Sequence, residues 1–509
     1  NRDVLSFTVL DGFLKGAFSE GIELDQYQDL AVEGLAMRDN DGSWNNMDGG
    51  IGATGTDARI IKEAPNGDIF IAGNFTNIPD ADGDYIFKWD GSNRISVIAG
   101  FNAIIQDMEF DANGDLYVCG NFTDVGDDNG DYIVKITDPT GTPSISSLGT
   151  GLQSFGYALA IDPATGYIYV GGTFSSAGGV ANTGNLAYWD GSAWKALGTG
   201  MGGSVTIVYA LAFAPNGDLY VGGQFTGADG SGGADYLTVW DSTTFNNVSS
   251  VELNDIVYAL AFDNNGVLYI AGEFTNAGDN SNADYIAKLV GNIWTSLGTG
   301  LNNYAYWLNI DSNNNVYVSG SFTEAGGLTL ADRVAYYANG AWRMLDINLP
   351  GTGIVYCSYI DSNGNLYLGG AFSTTADGNA ATGKVAVNIA NNTGNANCYP
   401  FMQITGPGTL QSIINYSTGR QIQFDGLVIQ EGEWINLNFD PENLKFKSGW
   451  TARGNLMRYV VEGSDYGNFY LVPGTNYISL FMPTGTGANT DSWMLWGPLF
   501  WSIEGARFS

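Results

Sequence analysis

The stretch DLYVGGQFTGADG, Asp218 to Gly230, decides the fold, because near-copies of it recur along the chain. Aligning the copies on their shared phenylalanine gives anchors 47 to 52 residues apart: Phe75, Phe122, Phe174, Phe225, Phe274, Phe322 and Phe372. A period of about 50 residues is that of propeller repeats, in which each unit forms one four-stranded blade. The spacing therefore predicts an all-β array of seven blades.

Each unit contains four strand-like pieces in which apolar and small residues alternate, such as Val257 to Asp263 and Val267 to Thr275. The first two pieces are joined by Asn-Gly or a relative, which tolerates the positive φ angles of a hairpin turn. One such sheet cannot bury both of its faces, whereas sheets stacked around an axis bury them against their neighbours. We expect the paired glycines to let adjacent blades approach and the phenylalanine to fill the space between them.

The two ends of the array predict how the ring closes. The last unit contains GKVAVNI, Gly383 to Ile389, as its third strand but has no WxxLG strand after it. The N-terminal segment GLAMRDNDGSWNNMDGG, Gly34 to Gly50, is similar to the end of a unit. We therefore predict that the strand containing Trp44 completes the seventh blade. A partial eighth blade is the alternative, because GLAMR is a surplus copy of a third strand.

The order of a YVGG strand, a strand that ends in WDG and a WxxLG strand resembles kelch-type propellers over residues 34–392. This resemblance implies a fold rather than a function, since propellers serve many activities. Residues 1–33 are interpreted as an N-terminal arm. The polar segment Asn391 to Pro400 marks a boundary, and short alternating strands from 395 to 509 predict a jelly-roll-like β-sandwich.

The C-terminal region carries a second resemblance. It contains NYSTG at Asn415 to Gly419, which follows the pattern N-x-T-x-G with serine in place of the threonine, GE-x-[IL]-x-[IL] at Gly432 to Leu437, and F-x-L-x-PG-x-N-x-I at Phe469 to Ile478. These pieces resemble the C-terminal domain of tail components from long, non-contractile-tailed phages. The resemblance implies a distal tail or baseplate protein in the virion, a homo-oligomer among other phage tail proteins. Members of that family often carry inserted modules that touch the host surface.

Composition excludes several classes of function. The formal net charge of −34 disfavours binding to nucleic acid or to anionic membranes. The chain has no histidine, which removes the commonest general base, and its three cysteines form no metal-binding spacing. Residues 395–509 carry six basic and nine acidic residues, so the remaining residues hold −31 of the total. We expect no membrane insertion, no enzymatic activity and no cofactor, with calcium as the one cation to consider.

A calcium site is the chemical interpretation of DADGDY, in which Asp80, Asp82 and Asp84 alternate around a glycine. The glutamate that ends an EF-hand loop is missing, because Gly91 stands at that position. The alternative is a solvated loop whose aspartates make Asx turns.

One aromatic residue departs from the repeat. Trp307 stands where other units have Ala158, Ala210 and Ala259. Together with Tyr304 it is a candidate platform for stacking a glycan. The alternative is local repacking around the larger ring.

The leading hypothesis is therefore a virion tail or baseplate structural protein whose propeller is displayed to recognise a host cell-surface glycan or protein. The residues 395–509 are expected to attach it to other subunits. A secreted bacterial surface protein with an adhesive propeller is the first alternative, and a carbohydrate-active enzyme is the second.

Overall fold

The fold of the chain was obtained as a computed structural model. It describes residues 20–23, 27–28, 33–38, 44–45, 47, 50–51, 56–76, 78, 84–201, 207–228, 234–250, 252–328, 331, 333–345, 353–373, 384–392, 399–415, 418, 420–439, 441, 444–450, 453, 455–461, 464–471, 474–482 and 491–496.

These residues are almost entirely in strands and turns, as the composition predicts. Short 3₁₀ helices occur at Ala277–Asp279, Leu456–Tyr459 and Tyr466–Asn468. The strands are β1 (Glu20–Glu23), β2 (Tyr27–Gln28), β3 (Glu33–Arg38), β4 (Trp44–Asn45), β5 (Asp57–Glu63), β6 (Ile69–Asn74), β7 (Ile86–Trp89), β8 (Arg94–Ser96), β9 (Ile105–Phe110), β10 (Leu116–Gly120), β11 (Ile133–Thr137), β12 (Ser144–Ser147), β13 (Gly156–Ile161), β14 (Ile168–Gly172), β15 (Leu186–Trp189), β16 (Trp194–Ala196), β17 (Ile207–Phe213), β18 (Leu219–Gln224), β19 (Leu237–Trp240), β20 (Phe245–Asn247), β21 (Val257–Phe262), β22 (Leu268–Gly272), β23 (Ile286–Val290), β24 (Ile293–Ser296), β25 (Ala305–Ile310), β26 (Val316–Gly320), β27 (Val334–Ala338), β28 (Ala341–Met344), β29 (Ile354–Ile360), β30 (Leu366–Ser373), β31 (Lys384–Asn392), β32 (Phe401–Thr405), β33 (Gly408–Asn415), β34 (Arg420–Ile429), β35 (Trp434–Asn438), β36 (Lys445–Ser448), β37 (Gly474–Met482) and β38 (Asp491–Trp496).

The described residues contain seven four-stranded antiparallel sheets, which we call blades 1 to 7. Blades 1 to 6 use consecutive strands from β5 to β28, and blade 7 is ordered β29-β30-β3-β4. The first strand of each blade contacts the first strand of the next, and β29 contacts β5. The sheets therefore form a closed ring around one axis, which is a β-propeller.

The repeated residues explain why the blades stack. All seven anchor phenylalanines are buried, with at most 5% of each exposed. A Cβ on Gly171 would lie 2.3 Å from Val208 Cγ1 of the following blade, so glycine is required for this close approach. The Asn-Gly turns also behave as predicted, with Gly67 at a φ of 90°.

Closure of the ring differs from the predicted arrangement in one respect. The Trp44 strand lies in the blade that contains Phe372, but it arrives with a second N-terminal strand, because β3 pairs with β30 and β4 pairs with β3. GLAMR is thus the third strand of blade 7 rather than a surplus copy. GKVAVNI, interpreted from sequence as that third strand, instead belongs to β31, which pairs with β37 outside the propeller.

The second unit is a sandwich of two five-stranded sheets, ordered β1-β38-β32-β35-β36 and β2-β31-β37-β33-β34. Both sheets contribute to one apolar core that includes Ile404, Ile413, Phe424 and Phe439. The interpretation of residues 1–33 as a separate arm is therefore wrong for β1 and β2, which are strands of the sandwich. The boundary between propeller and sandwich also lies before β31 rather than after residue 392. The propeller is inserted between β2 and β31 of the sandwich.

Candidate functional site

Every blade carries a β-bulge at the same place in its first strand. Two residues of the first strand there oppose one residue of the second strand, so the extra residue is turned out of the ladder. The seven extra residues, which we call the bulge ring, are Arg59, Gln106, Tyr157, Tyr209, Tyr258, Tyr306 and Tyr356.

The last glycine of each YVGG-like phrase is the residue that faces the bulge. A Cβ on Gly223 would lie 2.1 Å from the carbonyl oxygen of Ile207, which is closer than any side chain can approach. Gly272 meets Ile256 in the same way, at 2.0 Å. The repeated glycine therefore permits the bulge, and the bulge determines the direction of the ring residue.

Exposure distinguishes the bulge ring from its neighbours. Each of its seven residues is partly exposed, whereas the residues before and after it are buried, with the exception of Trp307. The centroids of neighbouring tyrosine rings from blade 3 to blade 7 are 5.1 to 5.8 Å apart. The tyrosines thus form a continuous aromatic arc around the axis.

Arg59 and Gln106 complete the circle. The Arg59 guanidinium lies over the ring of Tyr356, 4.1 Å from its centroid, and pairs with the Asp57 carboxylate. Arg59 also opposes the rise that burial causes in the pKa of Tyr157. The bulge ring therefore combines aromatic faces with one fixed cation.

A second set of side chains, which we call the rim, adjoins the bulge ring. Each rim residue precedes an anchor phenylalanine and varies between repeats: Asn74, Asn121, Thr173, Gln224, Glu273, Ser321 and Ala371. Gln106 donates from Nε2 to Asn121 Oδ1 at 3.3 Å, and the Tyr258 hydroxyl donates to Glu273 Oε1 at 2.6 Å. Burial and this bond to Glu273 raise the pKa of Tyr258, so its hydroxyl remains a donor.

A cavity of about 1040 Å³ follows the axis below the bulge ring. It extends from Tyr157, Tyr209 and Tyr258 to the hairpin turns of blades 2 and 3, near Asp111 and Asp162. Its volume is slightly above the range of about 300 to 1,000 Å³ that is usual for small-molecule sites.

The wall of this cavity has two unlike sides. Blades 3, 4 and 5 repeat Tyr-Ala-Leu-Ala, so the positions one and three residues after the bulge are all alanine: Ala158, Ala160, Ala210, Ala212, Ala259 and Ala261. In blades 1, 2 and 6 the lining residues at these positions include Lys62, Asp107, Glu109, Trp307 and Asn309. The small alanines leave space on one side, and polar groups face it from the other.

Three charged residues of the cavity wall, Lys62, Asp107 and Glu109, form one cluster. Lys62 Nζ lies 2.5 Å from Glu109 Oε2, and Asp107 Oδ2 accepts a hydrogen bond of 2.7 Å from the backbone N–H of Leu159 in the next blade. Burial raises the pKa of Asp107 to about 7, although the Lys62 charge opposes the rise. Burial alone would lower the pKa of Lys62, but the charges of Glu109 and Asp107 raise it, so it stays protonated.

The structure places the two predicted aromatic residues in different surroundings. Tyr304 is exposed at the surface, with its ring 6.5 Å from that of Tyr306. Trp307 lines the axial cavity and packs on two apolar clusters, one shared by blades 1 and 2 and one shared by blades 7 and 1. Its indole Nε1 is buried and has no hydrogen-bond partner among the residues that the structure describes. The two residues therefore do not form one platform.

Of the three predicted calcium residues, Asp80 and Asp82 lie outside the described residues. Asp84 is described and partly exposed. Within the described ranges, no group of three or more His, Cys, Asp or Glu side chains is arranged to hold a metal ion. The same ranges contain no helix long and apolar enough to span a membrane.

Sequence reasoning missed the bulge ring and the charged cluster, although a signal existed for the first. The ring residue stands 16 residues before the anchor phenylalanine, or 17 in blade 3, and five of the seven are tyrosine. Lys62 comes from one repeat and Asp107 and Glu109 come from the next, so their proximity depends on the neighbouring positions of blades 1 and 2.

The chain matches no protein-family model and no curated protein. Among solved structures, it is similar to the extracellular domain of a hybrid two-component system from B. thetaiotaomicron, with 14% identity and a TM-score of 0.42 over 78% of this chain. It spans 46% of the length of that chain.

Two further similarities are the WD40 β-propeller domain of Doa1 and PorZ, a surface component of the type-IX secretion system of Porphyromonas gingivalis. The first has 12% identity, a TM-score of 0.43 and coverage of 68% of this chain and 98% of that one. The second has 14% identity, a TM-score of 0.34 and coverage of 77% and 50%. The fold assignment rests on the strand pairing of the chain itself.

Proposed function

We propose that this chain is a surface-displayed recognition protein, in which the bulge ring of the propeller binds a cell-surface glycan and the sandwich holds the propeller on a larger assembly. The observation that carries the proposal is the bulge ring. It presents five tyrosines, an arginine and a glutamine around one axis, each partly exposed and, apart from Tyr306 beside Trp307, flanked by buried neighbours. Tyrosine faces stack on sugar rings, while hydroxyl and amide groups satisfy sugar hydroxyls.

The variation between repeats supports a recognition role. The strands, turns and anchor phenylalanines are nearly the same in every blade, but the rim residues include amide, hydroxyl, carboxylate and methyl side chains. A purely structural ring would be served by one residue type. Different side chains around a fixed framework suit an asymmetric ligand. The proposal assigns no catalytic step to any of them.

The role of the sandwich follows from the insertion. The chain enters the propeller after β2 and leaves it before β31, and these two strands are paired, with Tyr27 opposite Ala386. Asp465 of the sandwich also pairs with Arg343 of blade 6 at 3.0 Å and with Arg420 of β34 at 3.0 Å. The propeller is thereby carried in a defined orientation. Residues 395–509 are close to charge balance, which favours them as the attaching surface.

The test uses the full chain and an array of bacterial surface polysaccharides, with affinities measured by biolayer interferometry. Tyr209→Ala and Tyr258→Ala should each weaken binding about tenfold or more, the equivalent of one lost stacking contact. Tyr466→Ala is the matched control, since Tyr466 is an exposed tyrosine of the sandwich. The proposal is overturned if no polysaccharide binds, or if the control weakens binding as much as the ring variants do.

The assembly itself has two candidates. The first is a bacterial cell surface, with the protein outside the cell as an adhesin. The second is a phage tail, which is favoured by the resemblance of residues 395–509 and by the insertion of the propeller into the domain that carries it. In that case the chain would be a homo-oligomer among other tail proteins. Proteomics of purified virions and of washed cell envelopes separates the two, because the chain should be enriched in one fraction.

A further inference from the structure

The axial cavity carries more negative than positive charge on its polar side. Asp107 and Glu109 both line it, and Lys62 is the cation placed beside them. Lys62 pairs with Glu109, while Asp107 is bound by two backbone N–H groups, those of Met108 at 2.8 Å and Leu159 at 2.7 Å. A carboxylate offers about four acceptor positions, so Asp107 retains the capacity to accept further bonds toward the cavity.

The same molecule shows how its axis holds a cation. Arg59 lies over the face of Tyr356 and pairs with Asp57. Tyr157, Tyr209 and Tyr258 present further aromatic rings to the upper end of the cavity. Aromatic faces and carboxylates together favour ammonium groups. The −31 charge of the residues outside 395–509 also attracts cations from solution.

The other residues that line the cavity indicate what the rest of the ligand should look like. On the alanine side, the positions one and three residues after each bulge carry only methyl groups, which leaves room for a compact ring beside them. On the opposite side, the buried Nε1 of Trp307 is a donor without a partner among the described residues, whereas the Asn309 amide nitrogen already donates to the backbone oxygen and the hydroxyl of Ser358. The indole N–H suits a hydroxyl or carbonyl oxygen.

We propose that the axial cavity binds the ammonium group of a small hydroxylated amine, an amino sugar, through Asp107 and Glu109, with the Trp307 indole N–H donating to an oxygen of the same molecule. This assignment rests on the proposed recognition function. It adds that the ammonium group of the recognised glycan is the part that enters the axial cavity. Lys62 is then an internal competitor for the same carboxylates.

The raised pKa of Asp107 agrees with this assignment. Burial and the neighbouring Glu109 charge both oppose its ionisation, and Lys62 compensates only in part. A bound ammonium group would supply the missing compensation. The groups facing Asp107 from the elements packed against it are Lys62 of β5, Glu109 of β9 and the Leu159 N–H of β13.

The experiment compares D-glucosamine with N-acetyl-D-glucosamine on the full chain by isothermal titration calorimetry at pH 7.5. The pair differs at one nitrogen, which is an ammonium group in glucosamine and a neutral, larger acetamide in N-acetylglucosamine. Wild-type protein should prefer glucosamine by about tenfold or more, the effect of one ion pair shielded from solvent. Asp107→Asn should abolish this preference, and Lys62→Gln should strengthen glucosamine binding severalfold. Asp190→Asn is the matched control, because Asp190 pairs with Lys195 in an exposed loop of blade 3, and it should change nothing.

The two cavity variants are expected to change glucosamine binding in opposite directions. Misfolding cannot explain both results, since a misfolded protein would not bind glucosamine more tightly. The inference is overturned if both sugars bind alike, if neither binds, or if Lys62→Gln weakens glucosamine binding. If the cavity inference is overturned but polysaccharide binding still depends on Tyr209 and Tyr258, the proposed function stands without the cavity site. Glucosamine preference without ring-dependent polysaccharide binding would instead support the cavity site and overturn the role given to the ring.

Discussion

The propeller and the sandwich build their cores in different ways. Among the described residues, the buried apolar side chains of the propeller separate into seven clusters, most of them shared by neighbouring blades. The sandwich has a single cluster between its two sheets. A core substitution in the propeller should therefore destabilise mainly the blade interface in which it lies. A core substitution in the sandwich should destabilise the whole sandwich.

The largest expected effect comes from breaking one bulge in the propeller. Gly223→Ala should lower the free energy of unfolding by about 4 kcal/mol, because the new Cβ would meet the Ile207 carbonyl at 2.1 Å and the backbone must move. Chemical denaturation measures the loss, and hydrogen exchange should place it in blades 3 to 5. Gln224→Ala, at the adjacent partly exposed rim position, should cost little. Wild-type stability in Gly223→Ala would contradict the role given to the bulge.

The next effect tests the link between the two regions. Asp465→Ala should destabilise the protein by about 3 kcal/mol, because Arg343, whose side chain is 8% exposed, would lose its ionic partner. Calorimetry should then show the propeller and the sandwich unfolding in separate transitions. Lys195→Ala breaks a more exposed ion pair within one blade, that with Asp190, and should leave the profile unchanged. A single, equally stable transition in Asp465→Ala would show that the pair does not couple the regions.

A smaller effect is the pH dependence of stability that Asp107 causes in the axial cavity of the propeller. Burial raises the pKa of Asp107 to about 7, from an ordinary value near 4 in the unfolded chain. The folded protein therefore binds the proton more tightly in this interval, and the free energy of unfolding falls as pH rises from about 4 to about 7. Between pH 4.5 and 7.5, the free energy of unfolding of the wild type should fall by on the order of 2 kcal/mol more than that of Asp107→Asn. Parallel pH profiles would contradict this.

The smallest expected effect separates the ring from the core. Tyr258→Phe removes the hydrogen bond to Glu273 but keeps the aromatic ring, and both residues are partly exposed, so the stability should change by about 1 kcal/mol or less. Phe225→Ala, in the buried set between blades, should cost about 3 to 5 kcal/mol. If the two variants were equally damaging, the bulge ring would be part of the core rather than a surface for binding.

Much of the propeller could be read directly from the chain, because its blades are local. The four strands of blades 1 to 6 follow one another within about 50 residues, and their turns and anchor phenylalanines obey short-range rules of backbone geometry and burial. The alternation of the C-terminal segments likewise predicted a sandwich. These features depend on neighbours in sequence, so the repeat and its residues were sufficient to predict them.

The tertiary structure decided which distant segments meet. β31 has the alternation of a third blade strand, but β3 occupies that place beside β30, and β31 pairs with β37 instead. Alternation defines the two faces of a strand and says nothing about which edge it joins. The site has the same origin: Lys62 and Glu109 meet across two repeats, and the tyrosines face one axis only because the sheets close into a ring. The amino-acid sequence determined the blade and its bulge, and closure of the ring turned seven separate bulges into one site.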